Sequence, residues 1–155
     1  MSEKEEVLGI GEVKVFNRPV VMTCYGLGSC IGLFIKDRST GISGGAHVFL
    51  PENYAGYHSS NAISLVNTML GKMKLMGSDL TNLRAKLVGG ANVLRFGENT
   101  IGAQNFYSVK EQLISNKVYI AAIDIGGKQG RTARFDVSTE SLAVKILETK
   151  QVNII

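Results

Sequence analysis

Residues 30–50 read CIGLFIKDRSTGISGGAHVFL. Residues 30–35 are a short, unbroken apolar run, the pattern of a strand buried on both faces. Residues 37–41, DRSTG, are polar and end in glycine, which suits a turn. Residues 42–50 return as a second strand, so the stretch predicts a hairpin. Upstream, residues 25–29 (YGLGS) read as a turn with Gly26 and Gly28 free to take positive φ. Residues 20–24 read as a short strand, residues 17–19 break the chain, and residues 7–16 alternate loosely as a first strand. Downstream, residues 51–57 read as a loop. Residues 59–76 form the best helix, with Ala62, Ile63, Val66, Met69, Leu70, Met73 and Met76 on one stripe. Ser59 or Ser60 can cap its start, and Gly77 suits its end. Residues 85–88 read as a strand running into Gly89-Gly90, and residues 102–115 as a weaker helix carrying Phe106, Val109 and Leu113. Residues 117–123 read as a strand that runs on toward Gly126-Gly127. Residues 131–137 and 142–147 read as a closing hairpin around residues 138–141. Strands outnumber helices. The expected fold is one α/β domain over residues 1–155, with a mixed or antiparallel sheet and two main helices, and not a Rossmann array.

Composition narrows the function. The chain has 155 residues, 45% hydrophobic and 19% charged, which excludes a disordered chain and suits one domain. Two cysteines cannot make a disulfide scaffold, and two histidines beside them are wrongly spaced for zinc, so no metal is expected. No phosphate-loop or dinucleotide fingerprint is complete, so no cofactor is expected. No apolar run reaches the length of about 20 residues that spans a bilayer. The opening MSEKEEVLGIGE is acidic and lacks the apolar core of a signal peptide, so a cytoplasmic location is expected. A net charge of +4 without a basic cluster does not suit nucleic acid.

The candidate chemistry gathers at Gly26-Leu27-Gly28-Ser29-Cys30. A tight turn exposes a thiol and leaves backbone N–H groups free to hold an oxyanion. A thiol with its ordinary pKa of about 8.5 needs a base. His47 lies on the strand expected to pair with the one that begins at Cys30, so a Cys–His pair is sterically reasonable. The same spacing also suits a buried structural thiol and a buried, hydrogen-bonded histidine. His58 reads as a solvated loop residue. Gly89-Gly90 and Gly126-Gly127 read as strand ends, the methionines as core filling, and Asp124 as a turn residue or a site carboxylate.

Five motifs in order bear a resemblance to the CheD family, the chemoreceptor glutamine deamidases of bacterial and archaeal chemotaxis. They are Gly26-Leu27-Gly28-Ser29-Cys30, Ala46-His47-Val48-Phe49-Leu50-Pro51, Lys86-Leu87-Val88-Gly89-Gly90-Ala91, Ile101-Gly102-Ala103-Gln104-Asn105, and Asp124-Ile125-Gly126-Gly127 with Gly130-Arg131. The resemblance covers nearly the whole chain. It implies a cysteine-dependent protein-glutamine glutaminase on an α/β sandwich similar to the catalytic domain of cytotoxic necrotizing factors. It implies Cys30 as nucleophile, His47 as base, and Gly28 and Ser29 in the oxyanion loop. It implies chemoreceptor cytoplasmic regions as substrate and a CheC-type CheY phosphatase as partner. A CheD kept mainly for docking to receptors and phosphatase, with weak hydrolysis, is the alternative.

One departure bears on that alternative. The family's catalytic threonine lies six residues before the cysteine, where this chain has Cys24; its threonine is Thr23. Adjacent strand residues face opposite ways, so Thr23 serves only if a bulge turns it inward. Cys24 as the third member is a weaker hydrogen-bond partner than a hydroxyl. If it faces the site, oxidation could join it to Cys30; otherwise it is a small core residue. Thr139-Glu140, where the family has Thr-Gly, affects only turn geometry. The departure predicts slower deamidation than in threonine-bearing relatives, and a gain in rate for Cys24→Thr in a receptor deamidation assay.

Overall fold

The computed structural model describes residues 4–50, 61–93 and 100–155. Its strands are β1 (Lys4–Val7), β2 (Val13–Phe16), β3 (Val20–Leu27), β4 (Ile31–Asp37), β5 (Ser43–Val48), β6 (Leu83–Gly89), β7 (Tyr119–Ile125), β8 (Arg131–Asp136), β9 (Ser141–Ile146) and β10 (Val152–Ile154). Its helices are α1 (Ala62–Leu75) and α2 (Ile101–Ser115). The strands form two five-stranded sheets, ordered β1-β3-β8-β9-β10 and β2-β5-β4-β6-β7. Both sheets are mixed: β1 runs parallel to β3 and β6 parallel to β7, while the other pairs are antiparallel.

Side-chain alternation along β4 sets the layers. Ile31, Leu33 and Ile35 face α1 and α2 and meet Val66, Met69, Met73, Val109 and Leu113. Phe34 faces the other sheet, with its ring stacked on Phe135 of β8 at 5.4 Å. Around it lie Leu8, Met22, Cys24, Leu27 and Leu142. The order is therefore helices, then the β4 sheet, then the β3 sheet. Both faces of β4 are covered, which is why its sequence is apolar without alternation. Each such side chain contributes roughly 1.5–3 kcal/mol when fully buried.

The 30–50 hairpin forms as the sequence predicts, with Gly32 opposite His47 and Ile31 opposite Val48. Its turn is held by Asp37, which is buried and accepts from Ser39 Oγ at 2.6 Å, Thr40 Oγ1 at 2.7 Å and Ser78 Oγ at 2.8 Å. Burial alone would push this carboxyl up, but those donors and the Asp79 N–H hold it well below the usual range. The polar turn thus also anchors the segment after α1.

Several boundaries differ from expectation. The strand expected at residues 7–16 is two strands in two sheets, β1 and β2, because residues 8–12 cross from one layer to the other. β3 runs on through Leu27, where a turn was expected, with its register slipping between Cys24 and Leu27. The α1 cap is Asn61, whose side chain accepts from the Ser64 N–H; Ser59, Ser60 and the loop of residues 51–57 lie outside the described residues. At the other end Gly77 takes φ +104°, and the Ser78 N–H donates to the Met73 carbonyl at 2.9 Å, a Schellman closure. Asp124 lies inside β7 and not in a turn. β10, exposed throughout and only three residues long, was not expected: its Val-Asn-Ile is too short a run to stand out as a strand.

β5 fits between the layers because of Gly44 and Gly45. A Cβ on Gly45 would come within 2.6 Å of Leu8 Cδ1 and 2.7 Å of Met22 Sδ, both inter-sheet core side chains. Gly45→Val should overpack this layer at a cost of about 1–3 kcal/mol. Thermal denaturation should show a midpoint lower by roughly 2–10 °C for a chain of this size.

Candidate active site

Gly32 is the point around which the candidate residues gather. Because Ile31 faces the helices, Cys30 and Gly32 face the other sheet, and Cys30 packs against the inter-sheet core. His47 lies opposite Gly32 and shares that face. Cys30 and His47 are therefore diagonal neighbours on one side of the hairpin. From the facing sheet, Cys24 of β3 brings its Sγ within 3.4 Å of where a Gly32 Cβ would stand. Leu27 Cδ1 at 3.2 Å and Phe34 Cε2 at 3.3 Å border the same position, so a side chain on residue 32 would crowd this core.

His47 is almost fully buried, at 3% exposure. Its Nδ1 lies 3.1 Å from the Leu8 carbonyl oxygen. A carbonyl can only accept, so Nδ1 carries the proton and Nε2 keeps its lone pair. Among the described residues, nothing bonds to that buried Nε2. The segment of residues 8–12 holds the rest of the residue: the His47 N–H donates to the Glu12 carbonyl at 3.1 Å, and the Gly11 N–H donates to the His47 carbonyl at 2.8 Å. Burial pushes the imidazole below its ordinary value, against the raising effect of the Leu8 bond. Burial likewise pushes the Cys30 thiol up. Both shifts favour the neutral forms, a thiol at Cys30 and an uncharged imidazole at His47.

Cys24 and Thr23 divide between the faces of β3. Cys24 pairs with Ala133 and belongs to the inter-sheet core; burial, then the nearby Cys30, push its thiol up to about 12. Both cysteines are free thiols. Thr23 pairs with Arg134 and Val7 and shares the face they occupy, turned away from the other sheet, where it is nonetheless fully buried. The bulge begins after Cys24, so it does not rotate Thr23 inward, and the condition for Thr23 as a site residue is not met.

The loop before Cys30 is tied through its carbonyls. Gly28 O accepts from the Ala91 N–H at 2.8 Å and Cys30 O from the Gly90 N–H at 2.9 Å. Ser29 O accepts from Asn105 Nδ2 at 2.9 Å. Among the described residues, no acceptor meets the backbone N–H of Ser29 or Cys30. Gly89 must be glycine here: its φ is +116°, and a Cβ would come to 2.1 Å from the Cys30 carbonyl oxygen. A third glycine loop joins on, with the Gly126 N–H donating to Gly89 O and the Asn92 N–H to Gly127 O, each at 2.9 Å. Buried Arg131 holds that loop, with Nη2 donating to Gly126 O at 2.8 Å and Nε 3.2 Å from Asp124 Oδ1. Asp124 is the partner of this arginine. An open cavity of about 450 Å³, lined by Gly127, Lys128, Gln129, Arg131 and Ile146, borders the loop.

His58 lies outside the described residues. No group of three or more His, Cys, Asp or Glu side chains among the described residues could hold a metal. No described helix is long and apolar enough to cross a membrane. Sequence reasoning missed Leu8, Gly32, Asn105 and Arg131 as shapers of the site. Asn105 and Arg131 stood inside motifs of the resemblance; Leu8 acts through its carbonyl, which no side-chain pattern reveals.

Comparison with known proteins places the chain among relatives. A family model described as CheD chemotactic sensory transduction matches residues 49–146, a range that begins after Cys30 and His47. The probable chemoreceptor glutamine deamidase CheD of Clostridium tetani is 33% identical over 153 residues, covering 94% of this chain and 93% of that one. The corresponding Haloarcula marismortui protein is 33% identical, covering 95% and 88%. The chemoreceptor glutamine deamidase CheD of Thermotoga maritima is 32% identical, covering 91% of each. Among solved structures, YlmD from Geobacillus stearothermophilus has a TM-score of 0.54 at 12% identity over 77% of this chain. The Bacillus licheniformis protein YfiH has 0.51 at 11% identity over 73%. This chain spans about half the length of each, at 52% and 50%, and the likeness is one of fold.

The buried imidazole has a consequence for stability. Its folded pKa lies below the unfolded value near 6.5, so folding is not penalised above that pH. Below it the unfolded chain takes up a proton that the folded one resists, and stability falls. The denaturation midpoint should drop between pH 7.5 and pH 5.5, and by less in His47→Gln than in wild type.

Proposed function

The chain belongs to the CheD family, and we propose that it deamidates glutamine side chains of chemoreceptor cytoplasmic regions through Cys30 and His47. The observation that carries the reading is the free Nε2 lone pair of His47 on the face that Cys30 shares. In this mechanism Nε2 takes the Cys30 proton as Sγ attacks the carboxamide carbon. The oxyanion is held by the backbone N–H groups of Ser29 and Cys30, which have no other acceptor among the described residues. Collapse expels ammonia, which leaves with the proton from His47, and a thioester remains on Cys30. His47 then draws a proton from water, whose hydroxide attacks the thioester; glutamate departs and the thiol is restored. The turn at Gly28-Ser29 shapes this hole, its carbonyls being tied back to Ala91 and Asn105.

The Leu8 carbonyl orients His47 independently of residue 24. The gain expected of Cys24→Thr is therefore confined to a few fold. A second reading, a CheD that chiefly docks to receptors and to a CheC-type phosphatase with weak hydrolysis, is favoured by one observation: a fully buried thiol, Cys24, stands at the family's threonine position. Binding of a CheC-type phosphatase belongs to both readings and rests on family membership.

The test incubates the protein with a chemoreceptor cytoplasmic fragment and follows glutamine-to-glutamate conversion by peptide mass spectrometry. Wild type should convert specific glutamines. Cys30→Ala should convert none, and His47→Ala should be slower by at least about 100-fold. No conversion by wild type, together with tight binding to receptor or phosphatase, would leave the docking reading.

A further inference from the structure

We propose that Asn105 is the positioning residue that aligns Cys30 against His47, an inference that rests on the reading of those two as nucleophile and base. The β4–β5 ladder ends at the pair Ile31–Val48. Cys30 lies one residue beyond that end, so no ladder bond ties the thiol-bearing residue to the histidine strand. The Asn105 side chain bridges the opening. Its Nδ2 donates to Ser29 O at 2.9 Å and to Phe49 O at 3.2 Å. Ser29 immediately precedes the thiol, and Phe49 lies two residues past the imidazole. One amide nitrogen, with two protons, thus holds both segments.

The sequence of α2 explains how the amide reaches them. Asn105 lies three residues after Gly102, on the same helix face. A Cβ on Gly102 would stand 2.6 Å from the carbonyl oxygens of both Gly90 and Ala91. Only glycine lets α2 seat against that loop, and the seating carries Asn105 to the end of the hairpin. Asn105 is fully buried, and its Oδ1 has no partner among the described residues. An apolar residue would fill the same space without an orphaned acceptor, so packing alone does not account for the amide. The two protons on one nitrogen do, because no apolar side chain can bridge two carbonyls.

The experiment compares wild type with Asn105→Asp, nearly isosteric but without the donors, and Asn105→Ala. Two readouts are used: iodoacetamide alkylation of Cys30 against pH, mapped by peptide mass spectrometry, and kcat and KM for receptor deamidation. Folded variants should alkylate Cys30 at least about fivefold more slowly at pH 7.5, since the base no longer lies in line with the thiol. Their kcat should fall at least about tenfold with KM nearly unchanged, as expected for lost alignment. A folded variant with wild-type alkylation and wild-type kcat overturns the proposal. Alkylation needs no substrate, so a wild type that deamidates nothing removes the catalytic reading while this arm still judges Asn105. Should neither variant fold, the Asn105 side-chain amide signals of wild type are followed by NMR. They should be protected from exchange and should shift when Cys30 is alkylated; unprotected or unmoved signals overturn the proposal.

Discussion

The bond between His47 Nδ1 and the Leu8 carbonyl is the contact on which the candidate site depends. It joins a side chain of one sheet to the segment that has just left the other. That segment must cross between layers, and its crossing places a backbone acceptor where the imidazole needs one. Leu8 itself is buried in the inter-sheet core, so the carbonyl is positioned by packing as well as by hydrogen bonds. A tautomer set in this way needs no side chain dedicated to it.

Glycine does in this fold what bulky side chains cannot. Gly32 lets Leu27, Phe34 and Cys24 close in over the strand position opposite His47, and Gly45 lets β5 lie against the facing core. Gly89 and Gly102 admit backbone to within contact of backbone, and each contact lies one or two bonds from the Cys30 loop. Three glycine-bearing loops end on the same rim. Arg131 closes the set by holding the last of them with its guanidinium, while Asp124 offsets its charge. Rigidity around the Cys30 loop therefore comes from close main-chain approach and a few buried polar side chains.

Much of this was legible in the chain. The hairpin of residues 30–50 and both helices follow from local pattern, since periodicity and turn chemistry act over a few residues. The pairing of Cys30 and His47 on one face follows from hairpin register. Legibility failed where a segment served two layers. Residues 7–16 alternate as one strand would, yet the chain changes sheets at residues 8–12. β3 outran its expected end because a bulge absorbs Tyr25 and Gly26 without stopping the strand. β10, Val152–Ile154, is exposed and only three residues long, too short for its alternation to mark a strand.

The sequence by itself determined the class of fold, the nucleophile and base candidates, and the family, because these rest on residue identity, spacing and order. Only the tertiary structure decided which face each candidate occupies and what holds it there. Cys24 and Thr23 differ by one residue, and strand alternation against the facing sheet put one in the inter-sheet core and the other, also buried, on the opposite face. Leu8 and Asn105 act on the site from segments remote in sequence, through a carbonyl every residue has and an amide many residues could carry. Such roles are fixed by long-range packing, which places a common group at one point in space and leaves no local mark on the chain.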